Sequence, residues 1–98
     1  MKEKQFGVVT FKSTHYAIKG DLALKDKGIE YRTIPTPREI THSCGLAIKF
    51  HLNDIDSIRD IIHDNELAIE GIFKLIKNND GYKAEKLNWY WGIIWVGY

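Results

Sequence analysis

Gly45-Leu46-Ala47-Ile48-Lys49-Phe50-His51-Leu52 places Leu46, Ile48, Phe50 and Leu52 on one side and smaller or polar residues on the other. That is the period-two pattern of a strand that buries one face. What precedes it decides the fold. Residues 29–34 also alternate, with Ile29, Tyr31 and Thr33 set against Glu30, Arg32 and Ile34. Two strands therefore follow one another with only a loop between them, and Pro35 and Pro37 end the first of the two. Further upstream, Gln5-Phe6-Gly7-Val8-Val9-Thr10-Phe11 is β-branched and aromatic, with Phe6, Val8 and Thr10 on one face and Val9 and Phe11 on the other. It reads as the first and central strand.

A helix joins this strand to the next. Ser13 or Thr14 caps it, Ala17, Ile18, Leu22 and Leu24 recur at helical spacing as its apolar side, and Gly28 ends it. Gly20 inside it is expected to be tolerated, at a cost of about 1 kcal/mol relative to alanine. Downstream, Asn53 or Asp54 caps a second helix with an apolar stripe of Ile55, Ile58, Ile61 and Ile62, Asn65 ends it, and residues 67–76 form a fourth strand. Strand, helix, strand, strand, helix, strand is the order of an α+β, ferredoxin-like βαββαβ sandwich, an antiparallel four-stranded sheet with two helices on one face. In that arrangement the loop at residues 35–45 lies beside the amino end of the first helix. The carboxyl end of the second, with His63, reaches the same edge.

Asn78-Asn79-Asp80-Gly81 is a turn signal, and all three tryptophans fall beyond it, at Trp89, Trp91 and Trp95. The expected organisation is a domain over residues 1–78 and an aromatic C-terminal extension over residues 79–98, packed on the domain or on a partner subunit as a strand, a helix or a homodimer contact. With 98 residues, one hydrophobic core is sustainable but a separate deep substrate domain is not. Fourteen basic residues are scattered evenly among 13 acidic ones, for a net charge of +1, so no basic stripe marks a nucleic-acid partner. No apolar run is long enough for a membrane span or a signal peptide. A single cysteine, Cys44, cannot form an internal disulfide, which suits a reducing, cytoplasmic setting.

Chemistry concentrates in Pro35-Thr36-Pro37-Arg38-Glu39-Ile40-Thr41-His42-Ser43-Cys44-Gly45, which holds both prolines, the cysteine, an arginine and a histidine. A thiolate is the reactive form of cysteine, favoured by cations and by a helix amino terminus. Arg38, His42 and the backbone near Ser13, Thr14 and His15 are the groups available to stabilise it. Ser43 and Gly45 flank the sulfur, and Gly45 leaves it unshielded. Arg38 also suits an anion held in its guanidinium fork. Three other readings stand beside this one. Cys44 could be a buried small hydrophobe. A metal site on His42 and Cys44, with His15 or His63, lacks a zinc-binding spacing. A cysteine protease needs an oriented histidine and a cleft that so short a chain hardly offers. No metal and no cofactor is expected.

The motifs Thr14-His15-Tyr16-Ala17, Gly28-Ile29, Ile34-Pro35-Thr36-Pro37-Arg38-Glu39-Ile40 and Ser43-Cys44-Gly45-Leu46-Ala47-Ile48 resemble those of the small selenium or sulfur carrier-like domains, from about Phe6 to Phe73. The resemblance implies a Cys44 that holds sulfur or selenium as a persulfide or selenosulfide, with Arg38 in its pocket. It implies donor and acceptor proteins as partners, and a thiol carrier rather than a turnover enzyme. Two features depart from the family pattern, the long aromatic tail from Tyr82 onward and Gly20. The reading from a different class is a non-catalytic, oligomeric interaction or small-anion sensing module.

Overall fold

The computed structural model describes residues 4–40 and 45–87. It contains β1 (Gln5–Phe11), α1 (Thr14–Lys27), β2 (Tyr31–Pro35), β3 (Leu46–Phe50), a 3-10 turn (Leu52–Asp54), α2 (Ile55–Asp64), β4 (Ile69–Asn78) and β5 (Gly81–Lys86). The strands form one five-stranded antiparallel sheet in the order β2-β3-β1-β4-β5. The α+β class holds, and β3 does lie between β1 and β2. The expected four-stranded ferredoxin-like sheet is corrected by β5. After Asn78 the chain reverses through Asn79 and Asp80, with the Asp80 N–H donating to Asn78 Oδ1 at 3.0 Å and Gly81 at φ 132°. It then runs back along β4 with Asn78 opposite Gly81 and Phe73 opposite Lys86. Tyr82-Lys83-Ala84-Glu85-Lys86 is too charged to stand out as a strand, so its pairing comes from the turn and the open edge of β4. The tryptophans at 89, 91 and 95, and with them the packing of the aromatic tail, lie outside the described residues.

The helices start where expected, after Ser13 and Asp54, although neither side chain makes a capping hydrogen bond, and α1 turns a different side to the sheet. Gly28 ends α1 in the left-handed conformation, φ 71°, and its N–H donates to the carbonyls of Leu24 and Lys25. The buried face is Ala17, Gly20 and Leu24. Ile18 and Leu22, expected inside, are 54% and 59% exposed. The cause is close approach: a Cβ on Gly20 would lie 2.9 Å from Phe11 Cζ and 3.4 Å from Ile48 Cδ1. Gly20 is thus a contact residue rather than a tolerated one. Small side chains on that face let the helix sit on the aromatic floor, and the larger Ile18 and Leu22 rotate outward. In α2 the stripe is as read, with Ile58, Ile61 and Ile62 buried.

The sheet carries apolar clusters on both sides. Val9, Phe11, Ile48, Phe50 and Ile72 pack against the helices. On the other side Phe6, Val8, Ala47 and Leu75 form a smaller cluster whose only described cover from a loop is Ile40, itself 5% exposed. At about 25 cal/mol per Å² of apolar surface, a fully buried isoleucine contributes roughly 1.5–3 kcal/mol. The loop after β2 is therefore fastened to the sheet face that the helices leave free.

Candidate functional site

Pro35 ends β2, and the Thr36 N–H donates to the Gly45 carbonyl at 3.0 Å, closing the base of the loop just before β3. A turn follows in which the Ile40 N–H donates to the Pro37 carbonyl at 3.0 Å. This turn presents Arg38 and Glu39 to solvent while Ile40 points into the second cluster. The loop is thus held at its base and at Ile40. Residues 41–44, with His42, Ser43 and Cys44, lie outside the described residues. Gly45 is exposed, and a Cβ there would meet no atom within 4 Å.

Register fixes what shares this edge. Thr10 stands opposite Ala47, so the start of β3 lies next to the end of β1, from which Lys12 and Ser13 lead into α1. The Lys12 N–H donates to the Ala68 carbonyl at 3.0 Å, tying the same edge to the end of α2. The base of the loop, the α1 amino terminus and the α2 carboxyl terminus therefore lie along one edge, as the strand order requires. At α1, the Ser13 carbonyl accepts from the Tyr16 and Ala17 N–H groups at 3.1 and 3.2 Å, and no acidic residue lies in the first turn. The positive end of the helix dipole is thus not countered by a carboxylate of its own helix. Thr14 and His15 are exposed there, and the His15 ring meets Tyr16 edge-on at 5.4 Å. Among the described residues Arg38 forms no ion pair.

At the far end of the same edge, His63 Nδ1 lies 3.5 Å from Asp64 Oδ1, and His63, Glu66, Leu67 and Ala68 line a shallow cavity of about 370 Å³. Glu66 takes a left-handed conformation, φ 51°, and the Leu67 N–H donates to the Ile62 carbonyl at 3.0 Å. This is the Schellman geometry that usually calls for glycine.

Two groups of positioning residues escaped the sequence reading. Ile40 lies in a segment marked by its reactive residue types, and nothing in its neighbours marks the sheet face it covers. Tyr31 enters the sequence reading only as one of the alternating residues of a strand. Its O–H donates to Asp21 Oδ1 at 2.6 Å and to the Asp21 carbonyl at 3.0 Å, fastening α1 to β2. The hydrogen bond to the Asp21 carboxylate, then burial and the nearby negative charge, push the Tyr31 phenol up to about 12. An aspartate ten residues upstream in a helix gives no local cue to such a pairing.

Among the described residues no group of three His, Cys, Asp or Glu side chains is placed to hold a metal ion, and no helix is long and apolar enough to cross a membrane. Neither a curated protein nor a solved structure matches the chain. A family model does match over residues 6–74, from β1 into β4 and across the whole loop, and on that match the chain belongs to the family described as putative Se/S carrier protein-like.

Proposed function

We propose that the protein carries sulfur or selenium on Cys44 between a donor and an acceptor protein. The observation behind this reading is the family match, whose span contains every residue of the 35–45 segment. The shared edge supports it, because a helix amino terminus beside the loop favours a thiolate over a thiol. In the transfer step the Cys44 thiolate attacks the terminal sulfur of a donor persulfide. A bond forms between Cys44 Sγ and that sulfur, the donor's S–S bond breaks, and the donor cysteine leaves as a thiolate, with no net oxidation. Handing on to the acceptor is the same exchange in reverse, and selenium follows it as a selenosulfide.

Arg38 balances the negative charge of the persulfide, and His42 exchanges a proton with Cys44. Ser43, Gly45, Thr14 and His15 supply the polar surroundings of the transferred atom. A reducing compartment keeps the thiol available.

Alkylation of the full chain with iodoacetamide across pH tests the reading. A carrier shows an apparent thiol pKa well below the roughly 8.5 of free cysteine, and mass spectrometry after incubation with a small persulfide donor shows a sulfur adduct on Cys44. A rate profile like that of free cysteine, with no adduct, rejects it.

A further inference from the structure

Strand alternation gathers charges that the linear sequence scatters. On the sheet face turned away from the helices, the charged strand residues among those described are Arg32, Lys49, Lys77 and Lys86; just before β2, Glu30 continues the same alternation and pairs with His51 at 3.0 Å. The register sets Arg32, Lys49, Val8, Phe73 and Lys86 in one row across all five strands. Four strand spacings of about 4.8 Å make this row roughly 19 Å long, with cations at both ends. The helix-facing side of the same strands is handled differently, for Lys74 and Lys83 there share Glu85 at 3.7 and 3.8 Å. Arg32 and Lys49 stand directly opposite one another, and like charges so placed destabilise a sheet. The loop adds Arg38 and Glu39, which cancel.

We propose that this face docks an acidic protein partner, whose carboxylates meet Arg32, Lys49 and Lys86 and whose apolar side chains meet Tyr82 and Phe73. Tyr82 is 39% exposed and stands edge-on to Phe6 at 5.6 Å. Tyrosine and arginine are favoured at protein interfaces, and a face with an excess of one charge steers an oppositely charged partner. A single-stranded nucleic acid fits less well. Phe6 is 5% exposed, with Lys49 Nζ 4.1 Å above its ring, so among the described residues no run of open rings remains on this face on which successive bases could stack. On the opposite layer α2 carries Asp56, Asp60 and Asp64 against Arg59, which repels a longer polyanion. The docking row shares its face with Ile40, which fastens the loop, so docking and the chemistry of Cys44 are told apart by substitution.

Fluorescence anisotropy of the full chain tests it, with a labelled twelve-residue peptide of glutamates interspersed with leucine and tyrosine as probe and an oligo-dT of equal length as comparison. The peptide binds at low salt and weakens as salt rises. Arg32→Glu and Lys86→Glu, both at exposed positions, each weaken it about tenfold. Lys19→Glu and Lys25→Glu on α1 leave it unchanged within about twofold. Cys44→Ser binds as the parent does, which separates this face from the carrier reading. Absence of peptide binding, tighter binding of the oligo-dT, or equal losses in the α1 variants overturns the proposal.

Discussion

Adding one methyl group at position 20 sets helix propensity against packing, and the two pull stability in opposite directions. In an exposed helix, Gly→Ala is stabilising by about 1 kcal/mol. Here the new Cβ would lie 2.9 Å from Phe11 Cζ, 3.2 Å from its Cε1 and 3.4 Å from Ile48 Cδ1. Carbon pairs are at ease at about 3.5–4.0 Å. Phe11 and Ile48 are 1% and 0% exposed, so the ring has little room to retreat. Overpacking of this kind costs roughly 1–3 kcal/mol. Gly20→Ala is therefore expected to destabilise by about 1 kcal/mol net, read as a lower urea midpoint by circular dichroism and a Tm lower by about 4–8 °C. The same substitution in a Phe11→Leu background, where Cζ and Cε1 are gone, recovers the propensity gain and raises stability relative to Phe11→Leu alone. A Gly20→Ala protein more stable than the parent by the full propensity increment would refute the close-packed helix face and return Gly20 to a merely tolerated residue.

Three further outcomes are expected. Tyr31→Phe lowers stability by about 1 kcal/mol, a charge-assisted hydrogen bond discounted for partial exposure. Because the folded phenol is held near 12 against about 10 when unfolded, its contribution is whole below pH 10 and fades as pH rises from there towards 12; the difference between parent and variant in urea titrations across that range must shrink. Glu66→Gly relieves a left-handed residue and is expected to gain about 0.5 kcal/mol after the entropy of the unfolded chain is counted, and a clear loss in thermal midpoint would contradict this. Ile40→Ala removes the fastening of the loop, costs about 2 kcal/mol, and in hydrogen exchange abolishes protection of the Thr36 and Ile40 amides while that of Val9 persists; unchanged protection would show that Ile40 does not hold the loop.

The alternating strands and the stripe of α2 were readable because each places apolar residues at a period that one element can satisfy alone. The class, the central place of β1 and the edge on which the loop begins follow from them. Two misreadings share a cause, in that the deciding partner is remote in sequence. Ile18 and Leu22 fit a helical stripe as well as Ala17, Gly20 and Leu24 do, and only the Phe11 ring below decides between them. Strand β5 has charged residues at Lys83, Glu85 and Lys86, and its pairing depends on an edge of β4 that local propensity does not register. The candidate site was readable as a cluster of residue types in residues 35–45. Its attachment through Ile40 was not, since one isoleucine in a polar loop carries no period.

The fifth strand also changes what the molecule shows to its neighbours. Without it the sheet would end at β4, whose Ile69, Ile72, Phe73, Leu75 and Ile76 would border a row of unpaired amides and carbonyls, an open template for adding strands from other chains. The family match stops at residue 74, so β5 lies wholly outside it. Among the described residues it turns that adhesive margin into one bearing Lys83, Glu85 and Lys86, charges that resist edge-to-edge stacking. In colloidal terms, β5 is a built-in dispersant.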